Sequence, residues 1–172
     1  MVNVYPKALL VPAHPSNYLT LQPKRSTFDK IVIHCTDGHP DARPVAEMWQ
    51  REGHGSSAHF VVGQDGTVIQ AVDLGDVAYH AHAANRRSVG IEHCARTPGE
   101  WRVDDPGLPP SDALYLASAR LVAWLCLAAG LPIDRATIQG HAEADPATTH
   151  KACPLGSGWA WDRYLVMVQS TP

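Results

Sequence analysis

Cysteine is scarce in this chain: 4 among 172 residues (Cys35, Cys94, Cys126 and Cys153). That is too few for a disulfide scaffold, and a domain of this length can build a core without one. Charge is modest as well. Charged residues make up 18% and the formal net charge is -3, so no basic excess points to nucleic acid or to an anionic membrane surface. The longest apolar stretch, Leu114 to Leu131, is broken by Ser118, Arg120, Gly130 and Pro132, which argues against a membrane span. The opening segment MVNVYPK lacks the basic head and apolar run of a secretory leader. The expectation is therefore cytoplasmic synthesis, with release or delivery to the cell wall left open. Repeats and low-complexity blocks are also missing.

What the chain does have is histidine, 10 residues against 14 Lys plus Arg. Neutral imidazole is a common transition-metal ligand and an acid or base near neutral pH, so this balance favours a metal or acid–base site without choosing between them. The length suits one domain. Residues 1–27, rich in Pro, Asn, Ser and Lys, read as an irregular lead-in that is ordered only if it wraps the core. Phe28 to Cys35 (FDKIVIHC) reads as a buried strand ending near His34, and Gly38, Pro40 and Pro44 as a loop. Val45 to Arg51 reads as a short helix. His59 to Val72 turns at Gly63-Gln-Asp-Gly66 and reads as a β-hairpin, and Ser88 to His93 as a further strand. The Pro- and Gly-rich segment from Thr97 to Pro110 is a loop. Ser111 caps a helix whose apolar stripe is Leu114, Ala117, Leu121, Leu125 and Ala128, and Gly130 ends it. A last amphipathic helix starts near Trp161. Strands interleaved with helices, with at least one hairpin, define a single α/β domain in which helices flank a central mixed β-sheet.

Three potential metal ligands lie at element ends beside loops. His34 closes one strand, His141 follows Gly140, and Cys153 sits in a Pro-flanked loop. Two imidazoles and a thiolate suit zinc, leaving a fourth tetrahedral position for water. Taken singly, each is better read as structural: a His meeting solvent at a strand end, a Cys as a small buried hydrophobe. Their spacing is no zinc-finger code.

The segments IVIHCTDG (31–38), SAHFVVGQDGTVIQAV (57–72), VAYHAHAANRRSVGIEH (77–93) and IQGHAEADPATTHKACPLG (138–156) occur in an order that resembles a known family. It is the zinc-dependent N-acetylmuramoyl-L-alanine amidases, which include phage lysozyme-type amidases, anhydro-muropeptide amidases and animal peptidoglycan recognition proteins. The likeness runs from Phe28 to Tyr164, so residues 28–172 are expected to form the catalytic domain behind the lead-in at 1–27. It implies one Zn2+ per chain held by His34, His141 and Cys153, with peptidoglycan or a muropeptide as substrate. It also implies catalytic roles for Glu92, as orienter or acceptor of a proton from water, and for Lys151, as donor to the oxyanion. Their structural readings are an ion-paired carboxylate beside Arg86 or Arg87 and a solvated lysine.

His80, in Tyr79-His80-Ala81, is expected at the wall of the substrate groove, with Asn85 nearby to hydrogen-bond the stem peptide. His80 and His82 on a strand would share one face. We read His82, His59 and His93 as structural, and His150 as a competing ligand.

The sequence departs from the family at Ala58, where some branches carry a catalytic tyrosine. It also has Cys153 where the anhydro-muropeptide branch has Asp. The rival readings are a peptidoglycan-binding module without catalysis and a zinc peptidase of wall peptides. Both retained residues, Lys151 and Cys153, argue against the first.

Overall fold

The β-branched run Ile31-Val-Ile is the axis of the fold. The computed structural model describes residues 4–171. In chain order its elements are β1 (Leu9–Leu10), β2 (Tyr18–Leu19), β3 (Lys30–Cys35), α1 (Ala42–Met48), β4 (Phe60–Val62), β5 (Val68–Gln70) and β6 (Val77–Ala78). There follow β7 (Ser88–His93), α2 (Asp112–Ala129), β8 (Ile138–Gly140), α3 (His141–Ala144) and α4 (Trp161–Gln169). Short 3₁₀ turns lie at Pro15–Asn17, His82–Arg87 and Leu155–Ser157.

Six strands form one sheet in the order β1-β5-β4-β7-β3-β8, and β2 pairs with β6 apart from it. Only the β4–β5 hairpin is antiparallel within the large sheet; β3 runs parallel to both β7 and β8. A strand between parallel neighbours, covered on both faces, needs apolar residues in succession rather than alternation. Ile31, Val32 and Ile33 are accordingly all at 0% exposure.

On one face α2 packs into the main core. Ser111 Oγ accepts the Leu114 N–H at 3.0 Å, as an N-cap should. By length and apolarity alone α2 is long enough to cross a bilayer, yet its buried residues include Leu114, Leu121, Val122, Leu125 and Cys126. The fully buried stripe ends on Cys126; the expected Ala128 is exposed, and it is Ala129 that packs against the core in the last turn. Tyr164 of α4 seals this face against Trp159 and Tyr115. On the opposite face Val45 and Ala46 of α1, with Trp49 just after it, pack with Val61, Ile69 and Val72. The helix begins earlier than Val45 because Pro44 falls in its first turn, where a missing N–H costs no hydrogen bond.

The lead-in wraps the core. β1 pairs in parallel with β5, Tyr5 stacks near Trp124 and Phe60, and the fully buried Asn17 donates to the carbonyls of Trp49 and Arg51 at 2.7 and 2.8 Å.

Candidate metal centre

Parallel register brings the chemistry to one edge. β7, β3 and β8 are adjacent and codirectional, so their carboxyl ends open on the same side, where α/β sheets commonly bind ligands. His34 is in register with Glu92, and Ile33 with Gly140, so that His141 follows directly at the start of α3. Register partners share a face. His34 and Glu92 therefore point to one side, while His93 points to the other and reaches α2.

The hydrogen bonds of His34 define which ring nitrogen is available. Ser88 Oγ donates to the Ala84 carbonyl at 2.7 Å, so it can only accept from His80 Nε2, at 3.1 Å. His80 Nδ1 is then an acceptor, and it takes the proton of His34 Nε2 at 3.0 Å. A neutral His34 held in this way keeps its lone pair on Nδ1. Burial, reinforced by the neighbouring histidines, pushes the pKa of His34 well below the ordinary imidazole range, which maintains the ligand form. A second chain of bonds runs behind the strand. His93 Nδ1 donates to the His34 carbonyl at 2.9 Å, its Nε2 accepts from Ser118 Oγ at 2.7 Å, and Ser118 Oγ lies 2.7 Å from the Tyr164 hydroxyl.

Backbone approach requires glycine at two of these places. A Cβ on Gly90 would stand 2.4 Å from the His80 ring, and one on Gly140 would stand 2.9 Å from Pro154 Cδ. The first lets His80 lie across β7; the second lets the Cys153 loop close onto β8. Ligand atoms of His34, His141 and Cys153 consequently lie within 4.8 Å of one another. Cys153 Sγ accepts the Cys35 N–H at 3.2 Å. Contact with the Cys35 thiol and burial push the Cys153 thiol pKa up, so a thiolate at this position requires a compensating cation.

Two further observations bear on whether a cation fits. His141 Nε2 and Glu92 Oε2 are buried with no hydrogen-bond partner among the described residues. Such orphaned polar atoms are uncommon in native interiors and mark places where an ion, water or substrate completes the set. Burial, and then the charge of Asp37, push the Glu92 carboxyl up to about 8. The donor set of two imidazoles and a thiol suits zinc.

These groups line a cavity of about 360 Å³. His34, His80, Glu92, His141, His150 and Cys153 are all on its wall. Several expected residues are elsewhere. Lys151 is exposed and its ammonium donates to the Pro146 carbonyl of its own loop, outside the cavity lining, because the turn before Cys153 faces solvent. Asn85 spends its side-chain oxygen on the N–H groups of His80 and Ala81, at 3.0 and 2.7 Å, and so holds the His80 turn in place rather than facing the groove. His80 and His82 do not share a face: the strand stops at Ala78, and His82, with φ of +38°, starts a 3₁₀ turn. His82 is exposed and pairs with Asp145 at 3.2 Å, near His141. His150 stacks on His141 with centroids 5.6 Å apart.

Tyr79 lines the cavity beside His80, as the resemblance implied, and Asp37, Trp49 and Glu100 line it without having been singled out. Of those three only Asp37, inside the quoted IVIHCTDG segment, carried a sequence signal.

An open, histidine- and thiol-lined cleft at the carboxyl ends of parallel strands, with the Glu92 carboxyl on its wall, defines a candidate metallohydrolase. The chain belongs to the N-acetylmuramoyl-L-alanine amidase family, whose model matches residues 24–156. It is 30% identical over 128 residues to N-acetylmuramoyl-L-alanine amidase A of Achromobacter lyticus, an alignment that covers 73% of this chain and 64% of that protein. The chain thus spans under two thirds of that relative's length. Among solved structures, PlyL superposes with a TM-score of 0.70 at 19% identity over 98% of this chain and 99% of that one. A selenomethionine derivative of AmpD superposes with a TM-score of 0.67 at 22% identity, over 96% of each chain. These likenesses establish the shared fold.

Proposed function

We propose that the chain hydrolyses the amide between N-acetylmuramic acid and L-alanine in peptidoglycan or muropeptides, with Zn2+ held by His34, His141 and Cys153. The observation that carries this reading is the convergence of those three donors in one open cavity beside Glu92, whose Oε2 is buried without a hydrogen-bond partner among the described residues. When bound, the ion supplies Lewis acidity toward the scissile carbonyl and lowers the pKa of nearby water to about 7.

The chain's own residues do the remaining work. His80 and Ser88 hold His34 in its ligand tautomer. Glu92, with a proton affinity near neutrality, takes a proton from the attacking water and returns it to the departing alanine nitrogen. No acyl-enzyme is needed, since water is the nucleophile. Lys151, with its ammonium committed to Pro146, serves to clip the loop that carries Cys153. Residues 28–172 form the catalytic domain, braced by the lead-in.

The test is to incubate the zinc-loaded chain with purified sacculi and analyse the fragments, alongside elemental analysis for metal. Intact stem peptides released from glycan, with one zinc per chain, are expected. Severed peptide cross-links would establish a peptidase instead. Walls bound but left uncut by metal-replete protein would establish a binding module.

A further inference from the structure

An exposed tryptophan stands beside the cavity in a loop that has no part in the chemistry above. Trp101 is 60% exposed. It is not a loose side chain. Its indole N–H donates to the Asp37 carbonyl at 2.9 Å, and its own backbone N–H reaches Asp105 at 3.4 Å. One ring face is covered by the Arg96 guanidinium, 3.7 Å from the ring centroid. Arg96 is in turn fixed by two bonds to Asp105, at 2.7 and 3.1 Å, and by the Gly38 carbonyl at 3.3 Å. Thr97 anchors the start of the loop to Asp37 at 2.7 Å, and it packs against Gly156, just past Cys153. The indole is therefore a flat, immobilised plate with one face open, and ordering it on binding incurs little entropy loss.

Its neighbours narrow the choice of occupant. Asp37 and Glu100 both line the cavity, and the Glu100 carboxylate has no hydrogen-bond or ion-pair partner among the described residues. A carboxylate only accepts hydrogen bonds, so it suits hydroxyl or amide N–H groups on a ligand. A cationic occupant on the open face is disfavoured, because the guanidinium already draws on the ring quadrupole from the other side. A neutral ring with apolar C–H faces and a rim of hydroxyl and acetamide donors matches this combination.

We propose that Trp101, with Glu100, forms a saccharide subsite that binds the pyranose on the glycan side of the scissile amide. This inference rests on the amidase reading and adds to it a determinant of substrate class. It favours substrates that retain their sugar over free lactyl-peptides.

The experiment compares wild type, Trp101→Ala and Trp101→Phe on two substrates, a disaccharide-bearing muropeptide and the matching lactyl-peptide without sugar. Trp101→Ala is expected to raise KM for the sugar-bearing substrate about tenfold with kcat within about twofold, the scale of one lost aromatic contact. KM for the sugarless substrate should not move, and Trp101→Phe should recover most of the loss. An equal rise in KM on both substrates would place the peptide on the indole and overturn the proposal, as would no rise on either. Should wild type cut neither substrate, the amidase reading fails separately. Titrating the disaccharide alone into metal-free protein, followed by the Trp101 indole N–H resonance, then decides the subsite: a saturating shift supports it, and no shift refutes it.

Discussion

His34, His141 and Cys153 are each ordinary alone and informative only together. A serine hydroxyl is a much poorer zinc ligand than thiolate, so Cys153→Ser should lower bound zinc from one per chain toward zero by elemental analysis and abolish hydrolysis. Retention of stoichiometric metal with full activity would exclude the thiol as a ligand. Glu92→Gln keeps the shape and removes the proton shuttle. It should leave zinc content unchanged while kcat falls roughly 10²–10⁴-fold, the usual range for a lost general base. An unaltered rate would remove Glu92 from the reaction. These residues could be singled out from the sequence because each stands in a segment that resembles the family's, and the fold brings them to one cavity. Asn85 was legible as a neighbour of His80, but the use of its side-chain oxygen was not: it accepts from the N–H groups of His80 and Ala81, a contact that only the folded turn creates.

At the scale of elements, the site depends on how strands and loops are held against one another. The Tyr164–Ser118–His93 chain ties α4 and α2 to the His34 carbonyl, through atoms that are all buried. Tyr164→Phe should destabilise the protein by about 1 kcal/mol, the net value of a typical hydrogen bond, without altering zinc content. Denaturant titration measures the first and elemental analysis the second; loss of metal with unchanged stability would contradict this division. The loop 97–110 was readable as irregular from its prolines and glycines. Its rigidity was not, because that comes from Arg96, Asp105 and Asp37, residues that meet only in the folded chain.

For the whole molecule, acid is the predicted weakness. Burial, aided by Arg25, holds His59 neutral well below its ordinary range, and burial pushes His93 down to about 4 from 6.5. The unfolded chain takes up protons on these rings as pH falls through the ordinary value, while the native chain resists. Stability is therefore complete near neutrality and declines as pH falls toward 4, with His93 alone accounting for roughly 2 kcal/mol at pH 5 and His59 acting in the same direction. Melting curves of metal-free protein at pH 7 and pH 5 should show a lower midpoint in acid, and a flat or rising midpoint would be inconsistent with neutral buried rings. Deleting residues 1–27 tests the brace. It removes β1 and the buried Tyr5 and Val11, two side chains worth roughly 1.5–3 kcal/mol each, so a clear drop in melting temperature is expected.

The sequence by itself determined the strands around Ile31-Val-Ile and Ser88–His93, the β4–β5 hairpin and the capped core helix, because apolar periodicity, turn residues and capping chemistry are local properties, and its ordered segments pointed to three donor residues; it did not show β1, β2 or β6, which are two residues long. Only tertiary structure decided that β7, β3 and β8 run parallel with their ends level, that Gly90 and Gly140 admit the His80 ring and the Cys153 loop, and that Lys151 faces outward. Those outcomes depend on register and on atoms distant in the chain, and no window of neighbouring residues contains them.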